Sequence, residues 1–153
     1  ALIRRAVTRR FTEQGLDMNR LLKSSLALVG TLFLASTALA QGGDVAKELA
    51  TARAHAQLAE ASQSMVVAKM HLHHVINCLV GPHAEGFDAA AGNPCKGMGE
   101  GAAKDAQVNR MRTTYWTGQV RHALSYANSG IAAKNLADVH KAAAGVVQSI
   151  TGG

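Results

Sequence analysis

The chain has 153 residues, with 16 Lys and Arg against 10 Asp and Glu, two cysteines and seven histidines. The formal charge of +6 is unevenly placed: residues 1–40 hold six Lys/Arg and two Asp/Glu, which leaves +2 for residues 41–153. The basic balance therefore supplies no stripe for a nucleic acid, and residues 41–153 suffice for one small domain with a single modest core.

Residues 1–17 carry Arg4, Arg5, Arg9 and Arg10 and read as an upstream, unstructured extension. Met18 then opens a short basic segment with Arg20 and Lys23, Leu26 to Leu34 is mostly apolar, and Ala38-Leu39-Ala40 offers small residues before Gln41. That order is a secretory signal peptide over 18–40, cleaved after Ala40, and it predicts a periplasmic or secreted protein. The apolar run is too short for a membrane span of about 20 residues, so no stable membrane insertion is expected after cleavage.

From Asp44 to Val80 there is neither Pro nor Gly, and Val45, Leu49, Ala52, Ala56 and Ala59 recur at helical spacing behind Asp44 as N-cap. The poor helix formers Ser62-Gln63-Ser64 divide this stretch into helices over about 44–61 and 64–80. Gly81-Pro82 ends the second, and both prolines and six glycines fall in the next twenty residues, an irregular loop. Cys95 lies in that loop; export makes a Cys78 to Cys95 disulfide the default, with two free thiols as the rival reading. Asp105 caps a third helix, with Val108, Met111, Tyr115, Gln119, His122 and Tyr126 on one face. Asn128-Ser129-Gly130 is the expected turn into a fourth helix, which carries Leu136, Val139, Ala143, Val147 and Ile150. The expected fold is all-α: an up-down-up-down four-helix bundle over 41–153, with a long disulfide-closed loop between helices 2 and 3.

The chemistry-bearing residues are histidines. His71, His73 and His74 crowd one helix with Cys78, and a faint repeat relates Arg53-Ala54-His55-Ala56 and Met70-His71 to Val120-Arg121-His122-Ala123 and Val139-His140. In an antiparallel hairpin, residues equidistant from the turn are neighbours; His55 and His71 centre on Gln63, and His122 and His140 centre on Ile131. With both turns at one end, His55, His71, His122 and His140 would share a layer, and His74 adds to the helix 2 contribution. The expected metal ligands are thus His55, His71, His74, His122 and His140, while His73 and His83 are expected to be exposed. Imidazole suits copper, zinc, nickel and iron, with copper the first expectation and zinc or nickel next. A b-type haem between two histidines is the alternative, as is a structural or protein-interaction bundle with no ligand. Met65 and Met70 read as core filler rather than soft ligands.

An enzyme is not expected. The eight carboxylates of residues 41–153 are scattered, there is no Glu-x-x-His of the di-iron bundles, and there is no Cys-x-x-Cys or Cys-x-x-Cys-His. Alanine-rich helices with His55-Ala56, His122-Ala123 and Val139-His140 behind a signal peptide resemble the small metal-binding proteins of the bacterial periplasm. That resemblance implies a four-helix bundle that binds copper or other divalent metals in a buffering, storage or delivery role. Fewer histidines and the insert from Asn77 to Cys95 distinguish this chain, and they favour one defined site over bulk storage. The expected partners are a metal ion and either a second copy of the chain or a redox or metal-delivery protein.

Overall fold

Capping chemistry sets the helix boundaries. The Asp44 carboxylate accepts from the Lys47 N–H at 3.0 Å and opens α1, Val45–Ala61; the Ser64 hydroxyl accepts from Val67 N–H and opens α2, Met65–Val80. Asn135 does the same for α5, Leu136–Ser149, accepting from Asp138 N–H at 2.9 Å. Between them lie a short α3, Ala102–Val108, and the longest helix, α4, Thr113–Ala132. The computed structural model describes residues 43–108 and 112–150; the expected extension (1–17) and signal peptide (18–40) lie outside them. Among the described residues the fold is all-helical, with five helices, and no helix is long and apolar enough to cross a membrane.

The long helices pack in the order α1 on α2, α2 on α4, α4 on α5 and α5 back on α1. Small residues let α1 approach closely: Ala52, Ala56 and Ala59 are fully buried, following Val45, Glu48 and Leu49 along one stripe. Leu72, Val75, Leu79, Val139 and Val146 complete the core, each of the larger side chains contributing about 1.5–3 kcal/mol by burial.

Three local expectations are corrected. Asp105 does not cap the third helix but lies inside α3, where its carboxylate accepts from Glu100 N–H at 2.8 Å. The stretch expected as one helix is divided into α3 and α4. On α4 the buried stripe is Gln119, Val120, Ala123, Ala127 and Gly130, while Val108, Tyr115 and Tyr126 are exposed and Met111 lies outside the described residues. Finally, Asn128-Ser129-Gly130 is not a turn. Gly130 is buried within α4, and a Cβ there would run into Leu72 and sit 2.9 Å from Ala142 Cβ; it is a packing glycine. The turn comes at Ala133-Lys134-Asn135, where the Lys69 ammonium donates to the Ala133 carbonyl at 2.7 Å.

The loop from Gly81 to Gly101 is tied at both ends. Cys78 and Cys95 form a disulfide, and both sulfurs are buried. Gly81, at φ 83°, and Gly101, at φ 100°, back onto each other so closely that a Cβ on either would strike the other strand of the loop. Glu48 on α1 is wholly buried beneath this closure; its Oε1 accepts from Gly101 N–H at 3.1 Å. Burial first, and then the neighbouring Asp105, push the Glu48 carboxyl up to about 8, so it carries a proton at neutral pH.

Candidate metal centre

The α1–α2 hairpin sets His55 beside His71 and His74. His55 and His71 are equidistant from the Ser62–Ser64 turn, and His74 is their neighbour because His71 and His74 stand at i and i+3 on α2. His55 Nδ1 lies 3.3 Å from His71 Nδ1 and 3.3 Å from His74 Nδ1. The ring centroids are 5.5 Å apart for His55 and His71, 4.6 Å for His55 and His74, and 5.7 Å for His71 and His74. One ligand nitrogen from each of the three falls within 4.8 Å of the others, and all three residues are half-buried.

These distances match a metal. Nitrogens bound to a tetrahedral ion at about 2.0–2.1 Å stand about 3.3–3.4 Å apart, the separation of both Nδ1 pairs that involve His55. The same contacts can be bridged by a proton between neutral tautomers or by a cation between the rings. His55 and His71 are also held in a binding form. Burial first, and then His74 and His71, push His55 down to about 4; burial and His74 push His71 down as well. Both are neutral at physiological pH, with lone pairs available.

The loop fixes the third histidine. His74 Nε2 donates to the Ala91 carbonyl at 2.6 Å, so in the neutral ring the proton sits on Nε2 and the Nδ1 lone pair points at His55. Asn77, one turn beyond and wholly buried, holds that stretch of loop with three hydrogen bonds. Its Nδ2 donates to the Asp88 carbonyl at 2.7 Å and the Gly92 carbonyl at 2.6 Å, and its Oδ1 accepts from Asp88 N–H at 2.8 Å. His73, expected to be exposed, is half-buried, and its Nδ1 lies 3.2 Å from Asp88 Oδ2 on the outer side of the same segment.

The remaining expected ligands are placed elsewhere. His122 is exposed on α4, and His140 Nε2 donates to the Ser62 carbonyl at 2.7 Å, where it caps the α1–α2 turn. The physical reason is the turn: centred on Lys134 rather than Ile131, it leaves His140 six residues from the turn and His122 twelve. The layer of one histidine per helix is therefore replaced by three histidines from a single hairpin. Met65 and Met70, expected in the core, are exposed, and His83 is exposed as expected.

No protein-family model, no curated protein and no solved structure matches this chain.

Proposed function

We propose that the protein is a non-catalytic metal-binding protein of the periplasm or extracellular space, holding one transition-metal ion through Nδ1 of His55, His71 and His74. The convergence of three imidazoles, with both Nδ1 pairs that involve His55 at ion-sized separations, carries this reading. Copper is the first candidate, with zinc or nickel next, because all-imidazole sites suit these ions and their availability decides among them. Three protein ligands leave a position open for exchange, which suits buffering or delivery to a partner protein better than permanent structural use. The support for an ion over haem is spacing: rings with centroids 4.6–5.7 Å apart on adjacent helices leave no gap for a macrocycle between them.

The frame proposed for this site is the up-down-up-down arrangement of the four long helices. It is supported by their cyclic packing and by the bonds from His140 to Ser62 and from Lys69 to Ala133, which bring the two short turns toward the same end. The signal peptide expected over 18–40 and the buried disulfide support export.

Calorimetric titration with Cu(II) and Zn(II) tests the reading. One equivalent of either ion should bind, and binding should be lost in His55→Ala. Absence of heat and of any shift in melting temperature with either ion would overturn it.

A further inference from the structure

On the other side of α1 the helix packing leaves a groove of about 460 Å³. Ile150, just past the end of α5, also lines it. Leu49, Arg53 and Gln57 line it from α1, at i, i+4 and i+8. Arg112 and Trp116 line it from the start of α4. Arg53 and His55 are two residues apart, hence about 200° apart around the helix, so the groove is separate from the histidine cluster.

Arg53 and Arg112 both line this space, and among the described residues neither pairs with a carboxylate. Arg53 Nε is buried and has no hydrogen-bond partner. A buried donor left without an acceptor costs about 1–3 kcal/mol, so Arg53 Nε needs an acceptor from water or from a bound anion. The volume lies within the range of small-molecule sites, about 300–1,000 Å³, and the lining pairs a flat aromatic and aliphatic wall with a few convergent polar groups. Guanidinium forks bind carboxylate and phosphate oxygens alike.

We propose that the groove between α1 and α4 is a binding site for a small organic anion, with its carboxylate or phosphate on Arg53 and Arg112 and a flat apolar body against Trp116, Leu49 and Ile150. Trp116 is the only tryptophan of the chain, so its fluorescence reports on this site alone. Benzoate and phenyl phosphate are the two probes, with benzyl alcohol and inorganic phosphate as controls. At least one probe should give a saturable change in Trp116 fluorescence with a dissociation constant of about 1 mM or below, and the stronger of the two names the oxyanion. Arg53→Gln should weaken that binding about tenfold or more with the fold intact by circular dichroism, Arg53→Lys should retain part of it, and His55→Ala should leave it unchanged. The proposal is overturned if neither probe saturates, if benzyl alcohol or inorganic phosphate binds as well as the probes, or if Arg53→Gln has no effect.

Discussion

Asn77→Ala is the substitution that best separates the support of the site from the site itself. Asn77 touches no ligand nitrogen, yet its side chain makes three hydrogen bonds, at 2.6, 2.7 and 2.8 Å, to the loop that presents the Ala91 carbonyl to His74. Each buried neutral hydrogen bond contributes about 0.5–1.5 kcal/mol net, and truncation also strands partners on Asp88 and Gly92, so the loss is about 3 kcal/mol. In a domain of this size that lowers the melting temperature by roughly 10–20 °C. Loss of an outer partner of a metal-bound histidine typically weakens binding about 10–100-fold, and freeing His74 to exchange tautomers should do the same here. The assay is a thermal melt of the apo protein by circular dichroism, with zinc affinity measured at a temperature where the variant is folded. An apo melting temperature within about 2 °C of the parent, or a zinc affinity unchanged in the folded variant, would refute the reasoning.

Stability of the apo protein should fall with acid in a window set by the histidines. An unfolded imidazole titrates at about 6.5 and folded His55 at about 4, so between these values the unfolded chain binds more protons. The contribution is intact above about pH 6.5 and is lost as the pH falls toward 4; denaturant titrations of parent and His55→Asn across that range should show the slope reduced in the variant. Glu48 acts in the opposite sense. Its folded pKa of about 8 lies above the ordinary 4.5, so its contribution is full below about 4.5 and is lost as the pH rises through 8. Glu48→Gln keeps an acceptor for Gly101 N–H and should flatten that alkaline decline, leaving the variant more stable than the parent at about pH 9 by chemical denaturation. Removing the disulfide with the double variant Cys78→Ala, Cys95→Ala releases a loop with a sequence separation of 17, and should cost about 3 kcal/mol in the same assay.

The α1–α2 hairpin was legible in the sequence to within a residue because its signals are local and agree. Asp44 and Ser64 cap, the alanines repeat at helical spacing, and Ser62-Gln63-Ser64 is the only break. Equidistance from that turn therefore placed His55 beside His71 correctly. The same reasoning failed at the second hairpin because Asn128-Ser129-Gly130 has turn composition but helical tertiary packing, with Gly130 admitting Leu72 and Ala142. A shift of three residues in the turn moved His122 and His140 out of register. Asn77 falls in the insert of that reading, although an Asn flanked by Val75, Ile76, Cys78 and Leu79 signals a buried polar group that must find partners. Those partners come from Asp88 and Gly92, in a loop with no periodicity, so the support of His74 was beyond local sequence reasoning.

Long-range 1H–15N NMR of the imidazole rings during zinc titration tests the central claim most directly, since it distinguishes Nδ1 from Nε2 and one histidine from another. The account predicts coordination shifts at Nδ1 of His55, His71 and His74, saturating at one equivalent, with Nε2 of His74 still protonated and the rings of His122 and His140 unmoved. Coordination through His122 or His140, or no Nδ1 shift in the three, would contradict it.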